Sequence, residues 1–264
     1  MESAKSKDKL GDLLKAQEQL EAGRKADPYL PLMARLDGKC FSNFTKGLKR
    51  PFDERFVSLM VATTSYLVEE SEALLGYCQS DEISLFWDLD KKNYSNREFW
   101  FGGKFQKLTS VLAGTASSYF TGNLKNFLPE KEGYYPVIEA RVWNVPDRGW
   151  VWKNYLWRYR DAEKNSVSMF ARHHFSHKSL QGKTSREMRE MLRDIDKPWE
   201  QLPEFFREGT YVARQRVEMM PDDERMRNIP ERYRPTKPII RTVVNQISRK
   251  EAWGILLRDI DNNS

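Results

Sequence analysis

Two apolar runs flank a short polar centre in GYCQSDEISLFW, from Gly76 to Trp87. Runs of this length, rich in aromatic and aliphatic residues and broken by Gln, Ser and Asp, predict a hairpin. Its tip would carry two adjacent acids, Asp81 and Glu82. Strands joined by so short a turn can pair only antiparallel, so the hairpin commits the chain to an antiparallel sheet. The sheet then needs further strands and a covering layer to bury the hairpin's apolar side chains. A carboxylate at the tip would have a rigid support and still reach solvent. Local turn hydrogen bonding is the plainer use of the same residues.

The segments around the hairpin supply those layers. Residues 7–24 have Leu10, Leu13, Leu14 and Gln17 at helical spacing, and Asp27-Pro28 and Pro31 end that element. Leu32 to Leu36 is a compact apolar run that delivers Asp37-Gly38 at its end. Pro51 and Asp53 mark a helix start, followed by Phe56, Leu59, Met60, Thr63 and Leu67 at three- and four-residue steps. After a polar connection over Ser95–Gly103, a second helix is expected from about Lys104 to Phe120. Pro129–Tyr134 is a break, and YPVIEARVW, Tyr135 to Trp143, alternates as a strand does. Strand, helix, strand, strand, helix, strand is the order of the split βαβ, or ferredoxin-like, fold. The expected class is therefore α+β: one antiparallel sheet, two helices over one face, the other face open. Beyond it come helices over 152–174 and 185–192, a strand over 210–220, a Pro-rich polar arm over 222–237, a strand over 239–247 and a short helix. Residues 1–146 then read as a catalytic core with an N-terminal helix, and 147–264 as a helical and mixed extension packed on it.

Charge and cysteine usage narrow the class further. Basic residues exceed acidic ones by six, which permits a polyanionic partner without requiring one. Cys40 and Cys78 form neither a C-x-x-C pair nor a disulfide framework, so a reducing cytoplasm is expected. No apolar run reaches the length of a membrane span, and the first 23 residues lack the apolar core of a secretory leader.

Asp37 ends the first predicted strand and Asp81 lies between the second and third, which are neighbours in this fold. Two acids brought together resist ionisation unless a cation is present. The pair therefore suggests Mg²⁺, which takes oxygen ligands and keeps waters that phosphates replace. Gly38 leaves its carbonyl unshielded as a further oxygen, and Glu82, alternating away from Asp81, has a supporting place. Ordinary strand-end acids are the alternative. Lys46, Lys49, Arg50, Lys104, Lys107 and Arg141 are candidate phosphate contacts, against the plainer reading of solvated surface cations. In WRYRDAEKNSVSMFARHHF, Arg158, Asp161, Asn165, Ser168 and Arg172 draw one polar stripe down a helix, while aromatic and aliphatic residues take up much of the rest. Such a stripe is either solvated or turned to a partner. All three histidines fall in HHFSH; His173 and His177 could share a metal, but two more zinc ligands are missing nearby. Arg172, His173, His174 and Lys178 fit an RNA-contacting patch better.

RLDGKCFSNFTKGLKRPFDERF, GYCQSDEISLFW and EARVWNVP, then WRYRDAEKNSVSMFARHHFSHKSLQGKTSREMREML, together resemble the tRNA-His guanylyltransferase family, closest to its bacterial and viral tRNA-repair branch. The resemblance spans about Leu10 to Arg216. It implies a polymerase palm-like core, tetramers built as dimers of dimers, and addition of GTP or another NTP to the 5′ end of tRNA in the 3′–5′ direction. ATP adenylylates a 5′-monophosphate, and the 3′-hydroxyl of the incoming NTP displaces AMP. It also implies that Asp37, Gly38 and Asp81 ligate two Mg²⁺ ions, with Ser80 and Glu82 in the same motif. Nucleotide contacts would come from Lys39, Phe41, Arg50, Lys104, Lys107 and Arg141. RNA contacts would come from Arg158, Asp161, Asn165, Arg172, His173, His174 and Lys178. One departure matters: the His-Ile-Asn-Asn run of the eukaryotic enzymes is here Glu163-Lys164-Asn165-Ser166. That favours template-directed 5′-end repair over strict tRNA-His specificity. A palm-like nucleotide cyclase and a non-catalytic RNA-binding protein are the rival readings.

Overall fold

The computed structural model describes residues 8–89, 98–219, 230 and 239–257. Its elements run α1 (Lys9–Ala22), β1 (Leu32–Gly38), α2 (Phe41–Phe44), α3 (Glu54–Glu70), β2 (Leu75–Gln79), β3 (Glu82–Trp87) and α4 (Phe105–Gly122). There follow α5 (Leu124–Phe127), β4 (Ile138–Asn144), α6 (Arg148–His174), α7 (His177–Leu180), α8 (Ser185–Asp194), α9 (Glu204–Glu208), β5 (Thr210–Met219), β6 (Ile239–Ile247) and α10 (Arg249–Leu257). One six-stranded sheet, ordered β4-β1-β3-β2-β5-β6, pairs antiparallel throughout. Its first four strands and α3 and α4 reproduce the expected split βαβ order. β5 pairs with β2, so the same sheet runs on past residue 147.

On one face Leu32, Ala34 and Leu36 of β1 join Ile83 and Leu85 of β3 beneath α3 and α4. The stripe predicted for α3 is buried as a whole, and Asp53 caps the helix by accepting from the Arg55 amide. α3 lies so close to β2 that a Cβ on Gly76 would fall 2.7 Å from Val68.

The second face departs from the expectation of an open surface. Met33, Leu75, Tyr77 and Phe86 pack there with Val151 and Tyr155 of α6 and with Ala252 and Leu256 of α10. The central strands carry apolar residues at successive positions, not alternate ones, and such strands need cover on both sides. The Tyr155 hydroxyl, fully buried, donates to the Leu75 carbonyl at 3.0 Å and so fixes α6 across the sheet. Farther along, Val167, Phe170 and Ala171 of α6 share a third cluster with Leu180, Leu192, Trp199 and Phe206. α1 forms as predicted but buries none of its side chains; Leu10, Leu13 and Leu14 are exposed. Among the described residues, no helix is long and apolar enough to cross a membrane. The arm over 222–237, except Pro230, lies outside the described residues, as do 95–97 of the earlier connection and Met220.

Candidate active site

Register builds the site. β1 sets Asp37 opposite Glu82 of β3 and opposite Glu139 of β4. Opposed residues of an antiparallel ladder share a face, so these three acids form one row on the second face. One row back, Arg35 stands opposite Arg141. Asp81 immediately precedes β3, in a turn where Ser80 adopts left-handed backbone (φ 54°). Ser80 Oγ donates to Asp81 Oδ1 at 3.0 Å, and the Gly38 amide donates to the Asp81 carbonyl at 3.1 Å. That second bond ties the hairpin tip to the end of β1. Gly38 is required by space: a Cβ there would lie 2.4 Å from the Phe41 ring. Burial pushes the Asp81 carboxyl above the usual carboxylate range, and the like charge of Asp37 adds to it. The end of β1 and the hairpin tip thus bring the two acids singled out in the sequence to the same end of the sheet, close enough for their charges to interact.

Among the described residues, no three His, Cys, Asp or Glu side chains group as a closed metal cage. Two hard carboxylates with an open side still fit a divalent cation that completes its shell with water and phosphate. Glu82 is occupied differently. Its carboxyl is pushed up by burial, while Arg158 (3.1 Å) and Arg35 (3.7 Å) hold it as an ion pair. Glu82 is thus a charge-compensated support and not a free acid.

Between this row and α6 opens a cleft of about 630 Å³. Arg50, Ser80, Asp81 and Glu82 line one wall; Asp161, Asn165, Ser168, Arg172 and His173 line the other. Four of the five residues of the predicted stripe thus face the cleft. Arg158 does not: its guanidinium is taken up by Glu82 and Asp161 and stacks on Trp157. A narrower recess of about 100 Å³ adjoins the cleft, with Leu48, Phe52, Phe56, Met60, Phe205 and Phe206 as apolar lining and Lys49 and Asp53 at its edge.

Several predicted contacts lie elsewhere. Lys104 pairs with Lys25, and the adjacent Phe105 amide bonds to Arg24, at the end of the sheet where β1 begins. From there β1 needs five residues, roughly 17 Å, to reach Asp37. Lys107 stands ten residues, about 15 Å of helix, before Ser117, which bonds Ile138 in the row of Gly38. α4 thus carries both lysines away from the acids of its own chain. The Phe41 ring is buried against Phe44, Phe56 and Phe120, so a nucleotide contact at this residue falls to its backbone. Lys39 is exposed beside Gly38, and Arg141 is exposed and paired with Glu139 at 2.6 Å. His174 packs edge-on to Phe170, and burial, then His173 and Lys197, lower its pKa. Lys178 is exposed on α7, outside the cleft lining. Arg35 was not singled out in the sequence, although strand alternation alone puts it on the face of Asp37.

An antiparallel palm-like sheet that presents acids to a cleft carrying Arg50 and Arg172 is the arrangement of a nucleotide-transferring enzyme. A model of the tRNAHis guanylyltransferase (Thg1) family matches residues 14–146, half of the chain. A bacterial Thg1-like protein solved with ATP superposes at a TM-score of 0.72, with 30% identity over 78% of this chain and 87% of that one. A second, solved with GTP, gives a TM-score of 0.67, with 26% identity over 89% and 90%. An uncharacterised protein of Acanthamoeba polyphaga mimivirus is 28% identical over 73% of each chain. The chain belongs to the tRNAHis guanylyltransferase family and is a nucleotidyltransferase of that type.

Proposed function

We propose that the protein adds nucleotides to the 5′ end of tRNA in the 3′–5′ direction, with the opposite strand selecting the base. The placing of Asp37 and Asp81 at one end of the sheet, beside a cleft carrying Arg50, Arg172 and His173 in a chain of this family, supports the reading. In the first step an oxygen of the 5′-monophosphate attacks the α-phosphorus of ATP and pyrophosphate leaves. In the second, the 3′-hydroxyl of GTP or another NTP attacks the activated 5′-phosphorus and AMP leaves. Asp37, Asp81 and the Gly38 carbonyl would hold two Mg²⁺ ions, whose chemistry when bound is to neutralise phosphate charge and polarise the attacked phosphorus. The chain's own groups do the rest. Ser80 orients Asp81 through its hydrogen bond, and Arg50 and Arg172 face the cleft as phosphate donors. The apolar recess beside Arg50 suits a flat base. Glu163 replacing the histidine of the eukaryotic run supports selection by pairing instead of by a dedicated protein reader. A homotetramer, a dimer of dimers, belongs to the same reading.

The test supplies a 5′-truncated tRNA with ATP, Mg²⁺ and labelled NTPs to wild type and to Asp81→Ala. Extension by wild type and its loss in the variant, with tRNA still bound, is the expected result. Cyclic nucleotide formation, or binding without turnover by wild type, would overturn it.

A further inference from the structure

The cleft uses only one side of α6. Around the helix, a second line of residues points to solvent: Trp150, Lys153, Trp157, Arg160 and Lys164, all exposed. At about 100° per residue these five fall within an arc of roughly 80° and span about 21 Å of axis. Burial on the sheet cannot explain the two tryptophans, which keep 48% and 51% of their surface in solvent. Each is flanked by cations instead: Lys153 Nζ lies 4.9 Å from the Trp150 ring centre, Arg158 4.2 Å and Arg35 5.8 Å from that of Trp157. No ion pair among the described residues engages Lys153, Arg160 or Lys164. The line passes beside the acids at its midpoint, Trp157, since Arg35 shares a strand face with Asp37 and Arg158 pairs with Glu82.

Aromatic faces alternating with unpaired cations are what an unpaired nucleic-acid strand binds, bases stacking and phosphates neutralised. A duplex offers stacking only at its end, so two rings roughly 10 Å apart along one helix suit a strand whose bases are free. We infer that this line on α6 is the track for the unpaired 3′-strand nucleotides of the tRNA acceptor end, with Trp157 stacking the base nearest the acids. The inference rests on the proposed RNA substrate. It adds a reason for the track: a recessed 5′ end leaves opposite-strand bases unpaired, and these must be held still to serve as template.

The test measures equilibrium binding of the full chain, without nucleotides, to two RNA hairpins of one stem, blunt-ended or with a four-nucleotide 3′ overhang. Because binding needs no turnover, its outcome is separable from failure of the proposed reaction. Wild type should prefer the overhang. Trp150→Ala and Trp157→Ala should each weaken overhang binding about five- to hundredfold and leave blunt binding unchanged. Trp157→Phe, which keeps an aromatic face, should restore most of the loss; 2-aminopurine in the overhang should be quenched by wild type and not by Trp157→Ala. Equal losses on both hairpins, no loss on either, or a loss that Phe does not repair would overturn the inference.

Discussion

Asp81 shows how a single side chain can oppose stability and serve chemistry. Burial and the neighbouring Asp37 raise its pKa, so its ionised form is less favourable folded than unfolded. The sign follows: this carboxyl favours the folded state below its unfolded pKa, and that contribution is lost as pH rises through the folded value. Asp81→Asn should therefore melt higher than wild type at pH 7 in metal-free buffer, yet lose nucleotide addition on the order of a thousandfold. Calorimetry and an addition assay on 5′-truncated tRNA, run on one preparation, check both halves. Asp53 behaves oppositely. The Arg55 side chain, with the Lys49 and Arg55 amides, holds its carboxyl down to about 2. A lowered acid stabilises the fold above its unfolded pKa and ceases to as pH falls through the folded one. Asp53→Asn should cost about 2 kcal/mol at pH 7 and progressively less from pH 4 towards 2. Urea melts across that range give the answer.

Elements whose periodicity was set by burial were legible in the sequence. The α3 stripe, the hairpin and β4 all appear where alternation or helical spacing put them, and strand adjacency then brought Asp37 and Asp81 together. What local pattern could not carry was placement across the molecule. Lys104 and Lys107 sit correctly on α4, but only packing reveals that the N-terminal end of α4 meets residues 24–26 and not the acids. Phe41 lies in the right segment, yet its ring points into the core. The covering role of α6 was hidden for a related reason: Tyr155 reads as one more aromatic until its hydroxyl is seen to satisfy a sheet carbonyl. Arg158 does comparable work at the middle of that helix, between Glu82 on the sheet and Asp161 on α6. If the pair fastens α6 to β3, a double-mutant cycle of Arg158→Leu and Glu82→Gln should show coupling of about 1–2 kcal/mol. Additive losses in denaturant midpoints would mean the two charges are merely adjacent.

At the scale of the whole molecule, the sheet supplies the acids and α6 supplies the opposite wall, leaving a cleft of about 630 Å³ between them. The residues lining it are mostly charged or small: Arg50, Ser80, Asn165, Ser168, Arg172. Such groups grip phosphate and sugar, which every nucleotide shares, and phosphate contacts position a ligand without reading its base. On the proposed reading, choice among nucleotides comes from the opposite RNA strand, which presents base edges by pairing. With 5′-truncated tRNAs differing only in the base opposite the vacant position, the preferred NTP should follow the complement at every change. The selectivity ratio should exceed about tenfold, since a mispair typically forfeits more than 1.4 kcal/mol. Arg172→Ala should lower the rate for all four NTPs together and leave those ratios intact if Arg172 serves, as proposed, as a phosphate donor. An unchanging preference for GTP whatever the opposite base would place selection in the protein, and would direct attention to Asp53 and Lys49 at the mouth of the apolar recess.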